Sequence, residues 1–501
     1  MAYTRPGVYV SETSLRSTPP RPSSAATAAF FGTSDRGPTT PTLLDSWPTF
    51  KSLFGDLSQN HDLGYAVYHY FANGGRVAYV TRVAGAGATS ASTSALSFFA
   101  DEDASSASLC TLEAKNAGTW GNGLTVTLSA GRVTASATAV PTFNLSVALD
   151  GTEVEYWTEL SADSSSNRYM VEILNNYSSY LNVSSVADVA ADATFSYTAG
   201  SASLASGSNG GTLTDSDYVA AFSLLNDVEE SLLINAVGQS SATVVQAALN
   251  YAESRGNSFV IIDPDPTATT SATVNSVVDS YPDSGYGAVY YPMLRMIDPT
   301  KSGPAAVRTT YPGGAVAGAF VRTDAQRTVA KTPAGYSVDL RNTLGLATKI
   351  SDSFVSAVYD NGVNCLKAIP GAGVVILGGR TLSRVRPDEY ISVRRSLNFI
   401  KQNITTISRG AVFEPNNPLL WSALTTSISK FLTTFWGQGG LKGTSASQAF
   451  YVVCDETNNT QTTIDNGEVH IEVGVALQYP AEFIVINISE WAGGSNTVEN
   501  L

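Results

Sequence analysis

Between Tyr390 and Phe435 the apolar residues fall into two successive helical stripes, and no other stretch constrains the fold as tightly. Tyr390, Val393, Leu397, Ile400, Ile404 and Ile407 recur at spacings of three and four, which predicts one buried helix face ended by Gly410. Asn417-Pro418 is good chemistry for the cap and first position of a second helix, predicted to bury Leu420, Leu424, Ile428, Phe431 and Phe435 and to stop at Gly437. Strand patterns follow. Val469, Ile471 and Val473 alternate with His470 and Glu472, and in the extended run 481–488 Ile484, Ile486 and Ile488 share one face. On the first helix Arg394 and Lys401 project almost together, and Arg395 and Arg409 fall close to each other on the far side from the apolar stripe. That side is expected to be basic and to face either solvent or an acidic surface.

The rest of the chain is less regular. Its 501 residues are too many for one compact core, so several domains are expected. Only 14% of residues are charged, which suggests a surface rich in strands and loops rather than long charged helices. Residues 25–83 read as strand, two helices and strand. Composition then shifts to Ala/Gly/Ser/Thr-rich segments around alternating stretches such as 124–128 and 143–147, which predicts a β-rich insertion over about 86–214. From Tyr218 the pattern is α/β: strand 231–237, helix 242–254, and strand 259–263 closed by Pro264. Near the start, Val8, Tyr9 and Val10 form a short strand-like run on a Pro- and Ser-rich tether, which reads as an arm. Phe483, Ile484, Val485, Ile486 and Ile488 are the strand formers at the other end. An exposed strand at each end of a chain can add to another subunit's sheet through main-chain hydrogen bonds.

The formal charge of −14 argues against nucleic acid as a main partner, because phosphate binding needs clustered Lys and Arg. The charge is segregated. Residues 101–230 hold 17 acidic and 3 basic side chains, whereas residues 376–442 hold 3 acidic and 9 basic, and after Cys454 there are 8 acidic residues and no Lys or Arg. Complementary patches of this kind can steer and register docking with copies of the chain or with a charged partner. Cys110, Cys365 and Cys454, odd in number and far apart, suit neither a disulfide framework nor a metal cluster, and point to synthesis in a reducing compartment. No apolar signal core opens the chain and no apolar run approaches a membrane span, so cytoplasmic synthesis without membrane insertion is expected.

Motifs for chemistry are few. A phosphate-cradling loop needs a Gly-Lys pair, and none occurs; no Gly-x-Ser-x-Gly elbow occurs either. The three histidines, His61, His69 and His470, read as structural. Asp263 is the best enzymic candidate, since open α/β sheets place catalytic groups at the C-terminal ends of strands, although Asp263-Pro264-Asp265-Pro266 also reads as a plain strand terminator. A hydrolase on the 215–375 region would need a second carboxylate converging on Asp263, which the sequence does not place. A passive shell protein would share the arms and the low charge.

A series of short motifs resembles the contractile tail sheath family. They are Pro6-Gly7-Val8-Tyr9-Val10, Ala117-Gly118-Thr119-Trp120-Gly121-Asn122, Gly318-Ala319-Phe320-Val321-Arg322-Thr323-Asp324, Gly378-Gly379-Arg380-Thr381-Leu382, Val393-Arg394-Arg395, Val412-Phe413-Glu414-Pro415-Asn416, Leu420-Trp421, 449–455 and Pro480-Ala481-Glu482-Phe483. Each is weak alone, and their shared order is specific. The segment 329–334 departs from the family's usual Trp-Lys-Ala-Pro-Ala, and 86–214 matches nothing beyond the Trp120 motif.

The resemblance implies an α/β and α+β multidomain protein: an N-terminal arm (1–24), an α/β middle domain (25–85 and 215–375), a variable β-rich outer insertion (86–214), a C-terminal inner domain of helices on a small sheet (376–480) and a C-terminal arm (481–501). It also implies a mechanical role rather than an enzymic one, without cofactor or metal. Subunits would stack as six-membered rings around an inner tube protein, joined by arms that complete a neighbour's sheet. Baseplate and tail terminator proteins would be further partners in the virion tail. Arg394, Arg395, Lys401 and Arg409 are then expected to face the tube or the next subunit.

Overall fold

The computed structural model describes residues 27–93, 98–99, 111–133, 142–184, 196–197, 199–386 and 388–482. The end strands expected at Val8, Tyr9 and Val10 and at Phe483, Ile484, Val485, Ile486 and Ile488 lie outside the described residues.

A nine-stranded sheet forms the middle of the molecule. Its strands are β1 (Thr27–Gly32), β2 (Thr42–Leu44), β3 (Ala78–Arg82), β4 (Leu232–Ala236), β5 (Phe259–Ile262), β6 (Gly287–Tyr291), β7 (Asp339–Leu340), β8 (Val363–Ile369) and β9 (Gly373–Leu377). They lie in the order β7-β9-β8-β6-β5-β4-β1-β3-β2. The six strands from β8 to β3 in that order are mutually parallel, and antiparallel strands close both sides. The pairing of β1 with β4, Thr27 opposite Leu232 to Phe31 opposite Ala236, unites segments some 200 residues apart into one sheet.

Both faces of this sheet are covered, so its strands read as continuous apolar runs rather than alternating ones. On one face Phe30, Val80, Leu233, Ile261 and Tyr290 pack against helix α1 (Leu63–Ala72) and the helix Gly313–Gln326. On the other, Phe31, Ile234, Val260, Ile262 and Val289 pack against α2 (Ala242–Arg255) and the shorter helices Asp215–Phe222 and Ser271–Val278. The helix Gly313–Gln326, α3, lies unusually close to α1. A Cβ on Gly314 would stand 2.0 Å from the Ala66 carbonyl oxygen and one on Gly318 2.5 Å from that of Tyr70, so the glycines set the approach.

The chain between β3 and β4 builds its own antiparallel core around Leu112, Val126, Phe143, Leu145, Val147, Leu160 and Leu174. Its main sheet runs Gly200–Ser203, Leu124–Ala130, Thr142–Leu149, Thr152–Ser161. The Trp120 motif sits at the junction with the middle sheet. Arg82 donates from Nε to the Ser34 carbonyl at 3.0 Å and from Nη1 to the Ala117 carbonyl, and the Arg36 guanidinium stacks 4.2 Å from the Tyr180 ring.

Beyond β9 come the two helices anticipated from their periodicity: α4 (Ile391–Ser408) and α5 (Pro418–Gly437). Asn417 caps α5, accepting from the Leu419 and Leu420 amides at 3.0 and 3.1 Å. The buried stripe of α5 is Trp421, Leu424, Ile428, Leu432 and Phe435 rather than one running through Leu420 and Phe431. Leu424, Ile428 and Phe435 are buried as expected, but Trp421 and Leu432 take the places of Leu420 and Phe431: the Trp421 indole N–H donates to Asn416 Oδ1 at 2.8 Å, while Phe431 packs partly buried against Phe399. A hairpin of β10 (Phe450–Val453) and β11 (Glu472–Val475) completes this domain, whose core joins Ile400, Ile428, Leu432, Phe435 and Leu441.

Candidate assembly interface

Helix α4 connects the two bodies. Its C-terminal half rests on α5 through Ile400, Ile404 and Ile407, while residues 391–396 are buried on every side. Arg395 is 4% exposed and makes a two-pronged ion pair with Asp324 at the end of α3, 1% exposed, with Nη1 donating to Oδ1 at 2.9 Å. Its guanidinium also lies 4.8 Å from the Phe320 ring. Arg394 pairs with Asp388 and donates to the Tyr286 hydroxyl at 3.2 Å. Farther along, Asn398 donates to the Ser258 carbonyl at 2.9 Å, Gln402 accepts from Asn257 at 2.7 Å, and Arg409 pairs with Glu229 at 2.6 Å.

The expectation of an outward basic face is therefore corrected for Arg394 and Arg395. The polar side of α4 packs against the chain's own middle domain, where a guanidinium leaves water only because a carboxylate meets it. Arg409 is a half-exposed surface pair, and Lys401 is exposed with no ion pair among the described residues. Much of the basic excess of 376–442 is met inside the chain: Arg380 by Glu389 and Glu482, Arg384 by Asp279, and Arg386 by Glu389.

Two surfaces of the C-terminal domain are left open. Among the described residues no further strand pairs with β10 or β11, and most of their side chains are only partly covered. At the turn between α4 and α5, Val412 is 62% exposed and Phe413 fully so, the latter held at φ 69° in the left-handed region, where a bulky side chain is strained. Sequence reasoning quoted this motif without giving it a role; its signal is an aromatic residue in a short polar turn.

The remaining candidates resolve into structural parts. Asp263 is fully buried and accepts from three N–H donors: Gly313 at 2.8 Å on Oδ1, and Gly238 at 3.0 Å and Asn235 at 3.1 Å on Oδ2. It ties the end of β4 to the start of α3. Burial pushes its carboxyl up to about 6 against those hydrogen bonds, and the cavity it borders holds only about 10 Å³. His69 is buried beside Thr310, and burial lowers its pKa to about 4. His61 joins Thr33 and Asp35, and His470 joins Glu468. Among the described residues no group of three or more His, Cys, Asp or Glu is placed to hold a metal, and no helix is long and apolar enough to cross a membrane.

Comparison with known proteins places this architecture. Residues 389–489, beginning just before α4, match the phage tail sheath C-terminal domain. The tail sheath protein of Enterobacteria phage T4 is 30% identical over 183 residues, 36% of this chain and 27% of the phage protein, so the chain spans about a quarter of that relative's length. The fold extends over almost the whole chain. The sheath of the extracellular contractile injection system PVC, in its contracted state, superposes with a TM-score of 0.58 at 20% identity, over 98% of this chain and 99% of that one. The sheath tail protein of Listeria innocua gives 0.61 at 12% identity, over 92% and 97%. The class is thus a mixed α/β sheath-type fold. The particular resemblance is to the contractile tail sheath family, in sequence along the C-terminal part and in fold throughout.

Proposed function

We propose that the chain is the structural subunit of a contractile tail sheath, polymerising as stacked six-membered rings around an inner tube and shortening to drive that tube through a target envelope. The observation that carries this reading is the two-stranded β10–β11 sheet, unfinished among the described residues, inside the region matched by the sheath C-terminal domain. Isolated two-stranded sheets are marginal in water, and unpaired strand edges accept extended segments of other chains. The end segments 1–24 and 481–501, with Val8, Tyr9, Val10, Phe483, Ile484, Val485, Ile486 and Ile488, are the arms that complete the sheet in neighbouring copies. Residues 25–85 and 215–375 form the middle domain, 86–214 the outer insertion and 376–480 the inner domain.

The exposed Lys401 and Arg409 are the cations α4 offers to the tube or a neighbour, with Phe413 at the adjoining turn. Baseplate and tail terminator proteins are the partners at the two ends, and no catalytic step or cofactor takes part. Work comes from a strained lattice relaxing to one with better subunit contacts.

Electron microscopy of the overexpressed protein tests this: hollow, helically striated tubes are expected, and their loss on deleting residues 1–22 or 483–501 while the monomers stay folded. Monomers that never polymerise would refute the sheath reading, and normal tubes from both deletions would refute arm exchange.

A further inference from the structure

Two of the short motifs, 378–382 and 480–483, lie about a hundred residues apart and meet at one guanidinium. Arg380 follows β9 and pairs through Nη1 with Glu389 at 3.0 Å and through Nη2 with Glu482 at 3.1 Å; all three side chains are only about 15% exposed. The guanidinium carbon stacks 4.0 Å from the Tyr359 ring, so the cation is held on three sides. Glu482 is met again by the Tyr390 hydroxyl at 3.5 Å, and the Tyr390 ring stands edge-on to Tyr479 at 5.8 Å. These contacts favour a charged arginine, whose pKa is raised, and burial together with the bond to Glu482 raises that of Tyr359. Pro480, Ala481 and Glu482 form one wall of an open groove of about 600 Å³, faced by Tyr336, Val355 and Leu377.

The geometry differs from an ordinary surface ion pair in two respects. Exposed pairs contribute little because water screens them and two free side chains must be ordered. Here Glu389 and Tyr359 already order the arginine, so Glu482 joins a preformed cationic seat through two hydrogen bonds, to Nε at 3.3 Å and Nη2 at 3.1 Å. Glu389 belongs to the turn that opens α4, whereas Glu482 lies on the segment leaving β11. The arginine thus joins the chain between β9 and α4 to the segment leaving β11.

We propose that Arg380 is a positioning residue that clamps the segment after β11 through Glu482, fixing the course of residues 476–482 against the folded body. The clamp deepens the arm-exchange reading and rests on it for its consequence in assembly, though not for its existence. The segment is already bridged to Leu441 at Leu477, and Glu482 adds a second point of attachment; on the arm-exchange reading, a root so fixed raises the effective concentration of a strand at a neighbour's sheet edge.

Hydrogen exchange and tube formation on three full-length variants test the clamp. Glu482→Gln is expected to leave the melting transition near that of the parent, to speed amide exchange of peptides covering 476–485 by about ten-fold, and to cut tube yield. Arg380→Gln should do the same with some loss of stability. Glu389→Gln, which loosens the seat but leaves the Glu482 contact in place, should speed exchange of the same peptides less than Glu482→Gln, and equal or larger release would mean general stabilisation rather than a clamp through Glu482. Unchanged exchange in Glu482→Gln overturns the proposal even if Arg380→Gln fails to fold. Faster exchange with tubes of normal yield overturns the positioning role. Normal tubes after deleting 483–501 would instead count against arm exchange, and the exchange measurement would still judge the clamp.

Discussion

The nine-stranded sheet and the β10–β11 hairpin are built from similar residues and finished differently. Every residue of β4, β5 and β6 is buried, helices cover both faces, and antiparallel strands end the parallel run. In β10 and β11 no residue is fully buried, and no further strand pairs with either among the described residues. The large sheet completes itself within one chain. The small one is supported by its helices, through Phe450, Val452, Val473 and Val475 against Ile428, Leu432 and Phe435, but among the described residues its strand edges stay unpaired. The contrast is between a sheet covered on both faces and one whose edges stay accessible among the described residues.

The contrast can be broken most directly at the link between the two bodies. Asp324→Asn leaves the Arg395 guanidinium buried without its counter-charge, and a loss of about 3–5 kcal/mol is expected in the urea unfolding of the monomer. A loss below about 1 kcal/mol would mean that α4 is not locked to the middle domain by this pair. Next in size is a paired truncation. Ile234→Ala on β4 should cost about 2–5 kcal/mol, and Val473→Ala on β11 about 1 kcal/mol or less in the monomer. Equal losses would show the hairpin to be as finished as the large sheet.

The smallest effect is a pH dependence confined to the large sheet's surroundings. His69 titrates near 4 when folded and near 6.5 when unfolded, so the unfolded chain takes up a proton first, and stability is lost as pH falls from about 6.5 to 4. Asp263 has the opposite sign. Its folded value near 6 exceeds the ordinary 3.8, so stability is gained over about pH 6 to 4 and the two groups partly cancel. His69→Gln should therefore lose less stability than the parent between pH 7 and 4.5, and an unchanged difference would refute the account.

Local pattern was legible where one helix face decided the burial. The 390–407 stripe predicted α4 to within a residue or two, and Asn417-Pro418 placed the start of α5. It was less reliable at two positions of α5, where Trp421 and Leu432 are buried in place of Leu420 and Phe431. Asp263 shows the same limit. Its place at a strand end was readable, but its engagement by Gly238, Asn235 and Gly313 depends on residues up to 50 positions away.

The sequence by itself determined the helices, the apolar strands and the segregation of charge, because each depends on spacing within a few residues. Tertiary structure alone decided what the charges face. Helical periodicity puts Arg395 opposite the apolar stripe, yet its partner is Asp324, 71 residues earlier. The sandwiching of α4 between two bodies turned an expected outer surface into an interior one. Arg380 and Glu482, 102 residues apart, meet for the same physical reason: a buried charge requires its counter-charge in space, at whatever distance along the chain.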